Sequence, residues 1–302
     1  MLAAMIAVEW GTAGLRAYRL SPEGAIVDRR EAADGVRAVG GGDFAAALER
    51  HVGDWIAKGD APVVMCGAVG SREGWQDVPL VECPAGPAEV AASLAEVRWG
   101  GDRSAWIAPG LVCRNGTGVP DLMRGEETQV LGVLEALGAG EHIVCLPGDL
   151  SKWVRVENGR IFGFATHMTG EAFAMLGALS IFRRTIDGGG TEQPEAFAEG
   201  VRRAAEPGGL LHHLFGVKAR EQLDDLPDAA LAAYLLGILI GHEIASLPAG
   251  VRTVNLIGPP RLVGLYSRAL GLAGRVARML DPDAGAFGLF RLAGALPGAR
   301  NS

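Results

Sequence analysis

The stretch IAVEWGTAGLRAYRL, residues 6–20, can be laid over IVCLPGDLSKWVRVE, residues 143–157, without a gap. Ile6 then meets Ile143, Gly11 meets Gly148 and Thr12 meets Asp149. Each copy runs as an apolar strand, a glycine turn and a second, alternating strand. Each is followed by a turn that carries glycine, SPEG at 21–24 and ENG at 157–159, and by a third strand. Identity between the copies is low, but their structural period is the same, which points to an internal duplication. Two α/β domains are expected, over residues 1–140 and 141–302, facing each other across a central cleft. Paired glycine turns at such a cleft offer backbone N–H groups in the arrangement that holds polyphosphate. An adjacent carboxylate such as Glu9 can hold Mg2+, directly or through water.

Length and composition suit two modest domains or one large one: the chain has 302 residues, 49% of them apolar, and 45 glycines. The formal charge is −7. With no basic run in view, nucleic acid is not expected as a partner. No membrane span is expected either: the most apolar run, LAAYLLGILIG at 231–241, is too short and reads as a buried helix. The start MLAAMIAVEW lacks the basic region of a signal peptide. Cys66, Cys83, Cys113 and Cys145 form neither a zinc spacing nor a disulfide framework, so they read as free thiols of a cytoplasmic protein. No motif encodes the oligomeric state, and a homodimer is compatible with the composition.

Strands are expected at 5–9, 15–20 and 25–30, then a helix over 43–59 with an acid near its start as a cap. Residues 62–71 read as a buried strand running into a glycine-rich turn, 90–97 as a helix, and 104–112 as a strand entering a loop. Val130, Leu131, Val133, Leu134 and Leu137 recur at helical spacing over 127–138. Beyond residue 170 the pattern is mainly helical, with candidates at 170–186, 195–206, 210–223, 228–247 and 262–273. Between the last two, 251–260 reads as a buried strand ending in Gly258-Pro259-Pro260. Strand, glycine and helix in that order mark a usual ligand position in an α/β sheet.

Five stretches carry a closer likeness: MCGAVGSREGW (65–75), VPDLMRGEETQVLG (119–132), CLPGDLSKWVRVENGRIFGFATHMTGE (145–171), LLGILIGHE (235–243) and LIGPPRLVGLY (256–266). Together they resemble the 2-dehydro-3-deoxygalactonokinase family of the actin-like ATPase superfamily, from about residue 5 to about residue 295. The resemblance implies an α/β fold of two duplicated actin-like, ribonuclease H-like domains around a central cleft. It implies phosphorylation of the 6-hydroxyl of a sugar acid, 2-dehydro-3-deoxy-D-galactonate, by ATP with Mg2+. By the same likeness, Glu9, Gly11 and Thr12 would form the first phosphate loop, with Glu9 the magnesium-associated acid. Gly148, Asp149, Leu150, Ser151 and Lys152 would form the second, and Gly258 would line the adenine side. Ser71, Arg72 and Trp75 fall where a sugar-acid pocket is expected. Arg124, Glu126, Glu127 and Gln129 fall where related sugar kinases place a catalytic acid.

Such a transfer needs positioning, charge stabilisation and a carboxylate that takes the hydroxyl proton. Neighbouring residues at a helix start point about 100° apart, so only one of Glu126 and Glu127 is expected to face the cleft. The family spacing favours Glu126. Arg124 suits the substrate carboxylate through a bidentate fork, with a structural salt bridge as its alternative. Arg72 also reads as a solvated loop residue, Trp75 as core, and Lys152 as a flank of the site. His167 and His242 lack metal-ligand company and read as structural.

Two departures from the family pattern stand out. The first loop is EWGT where the family carries DWGT, and one extra methylene can shift a metal–water network by about 1 Å, a scale of misplacement that costs on the order of 100-fold in rate. The second is LPGDLSKW where the family carries LPGTHSKW, which puts Asp149 where phosphate oxygens are expected. Like charges repel there unless a cation lies between them, so Asp149 is a second candidate metal ligand. These departures leave two alternatives open: a catalytically weak or inactive family member that binds a sugar acid as sensor or partner, and a kinase for a different sugar.

Overall fold

A computed structural model describes residues 4–57, 62–101, 103–179, 181–182 and 192–296. The chain divides into two compact units. The first begins with β1 (Met5–Trp10), buried at every position, which turns into the antiparallel β2 (Leu15–Leu20) and β3 (Ile26–Ala32). Register places Glu9 opposite Arg16. Helix α1 (Phe44–Ile56) follows, capped by Asp43, whose side chain accepts from the Ala46 N–H at 2.9 Å. Next come β4 (Val63–Cys66), β5 (Val81–Glu82), α2 (Pro87–Ala92), β6 (Ala95–Trp99), β7 (Arg103–Ile107), β8 (Leu111–Arg114), β9 (Pro120–Met123) and α3 (Glu126–Leu137). The main sheet has the order β3-β2-β1-β4-β7-β6, with β4 parallel to β1 and β7 parallel to β4. A smaller sheet is ordered β5-β8-β9.

Two expectations change here. The helix foreseen over 90–97 lies instead over Pro87–Ala92: Pro87 opens it and the Glu89 side chain caps the Gly86 N–H at 2.9 Å. Residues Ala95–Trp99 alternate outward and inward, bury Val97 and Trp99, and pair with β7 as a strand. The stretch 104–112 likewise holds parts of two strands, β7 and β8, in different sheets.

The second unit contains β10 (Glu141–Leu146) and the starts and ends, respectively, of β11 (Ser151–Glu157) and β12 (Arg160–His167). It continues through α4 (Thr169–Leu179), α5 (Pro194–Ala204), α6 (Gly209–Gln222), α7 (Asp228–Ala245), β13 (Thr253–Leu256), α8 (Pro260–Leu272) and β14 (Val276–Met279). The foreseen helix over 170–186 runs partly outside the described residues. The sheet order is β12-β11-β10-β13-β14, with β13 parallel to β10 and β14 parallel to β13. This repeats the first sheet without its edge strand β6: third, second and first strands, then two parallel additions. The duplication seen in the sequence is thus a duplication of topology.

Helix α7 ends at Ala245, two residues short of the foreseen 228–247, and contains the apolar run 231–241. At 18 residues it is the one helix among the described residues long and apolar enough to cross a membrane, and it is 78% buried. It forms the centre of the second core with Phe197, Leu231, Leu235, Ile238 and Tyr266. A last helix, α9 (Ala284–Ala293), belongs to the first unit and packs on α3 and β1. A division at 140/141 therefore differs from the observed units at Glu141 and in two segments of the described residues, Val154–Phe164 and 281–296, all of which group with the first.

Glycine sets the closest helix crossings in both units. A Cβ on Gly132 would overlap the Ala284 carbonyl, and one on Gly288 the Thr128 carbonyl, so α3 and α9 meet backbone to backbone. Gly200 and Gly237 do the same for α5 and α7, against the carbonyls of Tyr234 and Phe197.

Candidate functional site

A cavity of about 640 Å³ opens in the first unit, at the ends of β1 and β4 and the start of α3. Glu9, Arg16, Glu31, Arg124, Glu126 and Gln129 wall it, with Gly11, Gly14 and Gly67. Glu9 is the penultimate residue of the buried strand β1, and its carboxylate is heavily engaged. Oε2 pairs with the Arg16 guanidinium at 3.0 Å and shares the single Tyr18 hydroxyl hydrogen, at 3.2 Å, with Asp283 Oδ1 at 3.1 Å, while Oε1 accepts from Gln129 Nε2 at 3.1 Å. Burial pushes its pKa up, against the pull of Arg16 and the two hydrogen bonds. A Cβ on Gly285 would overlap this carboxylate, so the start of α9 forms its back wall.

Gly11 turns the chain by donating its N–H to Gly14 O at 2.9 Å. Gly35 packs beneath that turn, against Thr12 and Ala13, where no side chain would fit. Thr12 itself is exposed, and it and Ala13 make no N–H hydrogen bond among the described residues.

Glu126 and Glu127 both open α3, yet they part company. Glu126 faces the cavity, with Oε2 accepting the Arg124 backbone N–H at 2.9 Å. Glu127 is fully buried; its Oε2 accepts the Gly125 N–H at 2.7 Å and its Oε1 has no partner among the described residues. Burial, with the Glu126 charge beside it, pushes the Glu127 carboxyl from 4.5 to about 8. Arg124 donates to Val78 O at 3.0 Å and makes no ion pair among the described residues. Burial lowers its pKa, partly offset by Glu127 and Asp77.

The loop 68–75 does not join this group. The Ser71 hydroxyl donates to Ala68 O at 2.7 Å, Trp75 N–H donates to Val69 O at 2.8 Å, and the loop closes on itself. Trp75 stacks on Phe44 at 6.2 Å against the core. Arg72 is 91% exposed, 3.5 Å from Asp77. None of the three lines the cavity.

The second glycine turn lies in the second unit. Asp149 and Leu150 are exposed and make no N–H hydrogen bond among the described residues. Gly170, in the first turn of α4, packs on the turn from behind: a Cβ there would come within 2.8 Å of Asp149 Cα and Gly148 O. Ser151 and Lys152 point away from solvent; Ser151 is fully buried against the Tyr266 hydroxyl at 2.7 Å, and Lys152 Nζ donates to Thr166 at 2.8 Å. Gly258 follows β13 beside Pro147, with φ +153°. Past it, Arg261, Gly264, Leu265 and Arg268 of α8 and Phe197 of α5 line a cavity of about 300 Å³.

Arg16 went unforeseen, although hairpin arithmetic on 10–15 puts it opposite Glu9. His242 is held by His213, Nε2 to Nδ1 at 2.9 Å, as a structural pair. No metal-ligating cluster of three His, Cys, Asp or Glu occurs among the described residues. The four cysteines are free, with Cys83 only partly buried.

The twice-repeated sheet order, each copy opening on a glycine turn, defines an actin-like ATPase fold. Component A of (R)-2-hydroxyglutaryl-CoA dehydratase from Acidaminococcus fermentans shares that fold at TM-score 0.50 and 12% identity, over 97% of this chain and 98% of that one. A far closer likeness is a crystal structure described as a 2-dehydro-3-deoxygalactonokinase protein from Sinorhizobium meliloti, with TM-score 0.89, 36% identity, and coverage of 96% and 98% of the two chains. In sequence, the chain is 38% identical over 283 residues, 92% of each protein, to one of Rhizobium meliloti (strain 1021) named as 2-dehydro-3-deoxygalactonokinase DgoK1. It is 34% identical over 281 residues, 91% of each, to the 2-dehydro-3-deoxygalactonokinase of Escherichia coli (strain K12). The family model for 2-keto-3-deoxy-galactonokinase matches residues 9–292. The chain belongs to that family.

Proposed function

We propose that this protein transfers the γ-phosphoryl group of ATP to the 6-hydroxyl of 2-dehydro-3-deoxy-D-galactonate, giving the 6-phosphate and ADP. Family membership and 38% identity across 92% of the chain support the reaction. The observation that carries it within the molecule is the pairing, in one cavity wall, of a carboxylate with a guanidinium that has no acid of its own.

Arg124, with one Nη1 hydrogen on Val78 O, offers its remaining N–H donors to the sugar-acid carboxylate, and burial strengthens that pairing. Glu126 keeps Oε1 free to accept the proton of the attacking hydroxyl. Glu127, neutral at pH 7, holds the helix start instead of acting as base. Gln129 spends its N–H on Glu9, which leaves its carbonyl for a substrate hydroxyl. In the second unit, the unpaired N–H groups of Asp149 and Leu150 receive phosphate oxygens, Gly258 marks the nucleoside side, and the start of α4 backs the turn. Thr12 and Ala13, whose N–H groups make no hydrogen bond among the described residues, give the first turn the same capacity, with the Gly11 N–H closing that turn on Gly14 O.

The donor set fits Mg2+, which keeps several waters and takes one or two carboxylates. Asp149, exposed on its turn, is the carboxylate assigned to it. Glu9, engaged by Arg16, Tyr18 and Gln129, is the weaker candidate for a metal. When bound, the ion neutralises charge on the phosphate oxygens. Ser71, Arg72 and Trp75 keep only an outer role in substrate selection. A cytoplasmic setting suits a metabolic kinase with four free thiols.

The test is ADP release by purified protein with MgATP, with and without the sugar acid. Sugar-dependent ADP is expected. ADP release that ignores the sugar, from folded protein over a range of Mg2+ and Mn2+, would overturn the assignment.

A further inference from the structure

Helix α7 is apolar and almost wholly buried, yet it carries Glu243 at 2% exposure with no ion pair among the described residues. Three donors from three other elements converge on that carboxylate. Trp153 Nε1 of β11 donates to Oε1 at 2.5 Å; Thr169 Oγ1, at the start of α4, and the Tyr266 hydroxyl of α8 donate to Oε2 at 2.5 and 2.7 Å. All four side chains are at least nine-tenths buried.

The direction of the hydrogens follows from the inventory of donors. Tyr266 has one hydrogen and gives it to Glu243, so the 2.7 Å contact between Tyr266 and Ser151 must use the Ser151 hydrogen. Ser151 Oγ is then an acceptor only, and it lies 3.5 Å from the Gly148 N–H. A directed chain runs from the turn through Ser151 and Tyr266 to Glu243. On the other side, Thr169 ties Glu243 to the first turn of α4. There Gly170 packs on Gly148 and Asp149, and the Glu171 N–H donates to Asp149 O at 3.0 Å. Both flanks of the 148–151 turn are thus fastened to one buried carboxylate.

We propose that Glu243 is the positioning residue of the second phosphate turn, holding Gly148, Asp149 and Leu150 in the shape that receives the polyphosphate of ATP. It touches no substrate; it acts through Tyr266, Ser151 and Thr169. The apolar run that contains it would be served as well by leucine. A carboxylate there, with every oxygen engaged, makes structural sense as a clamp on the elements it bonds.

The assignment of ATP rests on the proposed kinase reaction, so the experiment reads binding and backbone order separately. The proteins are wild type, Tyr266→Phe, Thr169→Val and Glu243→Gln, each checked for folding by circular dichroism. Calorimetry gives the Kd of a non-hydrolysable ATP analogue with Mg2+ and, separately, of the sugar acid. Hydrogen exchange gives the protection of amides 148–150. Tyr266→Phe is expected to weaken the nucleotide about tenfold, leave the sugar acid within about twofold, and speed exchange in the turn. Glu243→Gln should do the same more strongly, and Thr169→Val more weakly. If Glu243→Gln fails to fold, the other two variants carry the comparison. Folded variants that bind nucleotide as wild type does, with unchanged exchange, would overturn the proposal, as would equal weakening of both ligands. If wild type binds no nucleotide, the kinase assignment falls, while exchange still decides whether Glu243 orders the turn.

Discussion

Glu126 and Glu127 are neighbours with opposite surroundings, and the difference sets their chemistry. Glu126 stands in the wall of a cavity of about 640 Å³; Glu127 is enclosed, and burial holds its carboxyl near 8. Between pH 4.5 and about 8 the folded protein keeps a proton on Glu127 that the unfolded chain releases. Stability therefore falls as pH rises through that window, by up to about 1.4 kcal/mol per pH unit. Glu127→Gln removes this term, so the melting temperature of the variant relative to wild type should climb between about pH 5 and pH 8. A constant difference across that range would contradict the burial argument. Arg124 has its own signature: Arg124→Met should raise KM for the sugar acid about 10- to 100-fold and leave KM for ATP within about twofold, as steady-state kinetics would show.

At the scale of elements, the helix crossings are set by glycines where a methyl group has no room. Gly237→Ala should push α7 from α5, and Gly288→Ala should push α9 from α3, each costing about 1–3 kcal/mol by chemical denaturation. Wild-type stability in either variant would mean that the helices slide apart freely. The sequence announced most of these elements. Alternation and turn glycines gave β1 to β3, and Asp43 gave the start of α1. It misread 90–97 because VAASLAEV has helical composition, while Val97 and Trp99 were recruited as a strand by β7, a partner visible only in three dimensions. The small sheet β5-β8-β9 escaped for a similar reason: its strands are short and depend on one another. Ser71, Arg72 and Trp75 matched a family pattern, but their loop closes through its own backbone and turns Trp75 to the core.

Across the whole molecule, the duplication was legible as a gapless match of two turns, and it proved to be a match of sheet order. What stayed hidden was long-range convergence. Nothing near Glu243 in the sequence shows that donors at 153, 169 and 266 surround it. Nothing in the short run 284–293 shows that it packs with α3 of the first unit. That grouping has a consequence for local stability: amides of 284–293 should exchange with the kinetics of 126–137 and not with those of β14, although β14 is only a few residues away. Hydrogen exchange by mass spectrometry reads this directly, and exchange in step with β14 would contradict the unit assignment.

The central claim is that the Arg124–Glu126 cavity carries sugar-acid phosphorylation, with Glu126 taking the hydroxyl proton. It is tested most directly by the sugar-dependent rate of ADP release from Glu126→Gln beside wild type, at saturating MgATP. The account predicts a wild-type rate typical of a kinase and a fall of about 100-fold or more in the variant, with the affinity for the sugar acid preserved. A variant that turns over at the wild-type rate would contradict it.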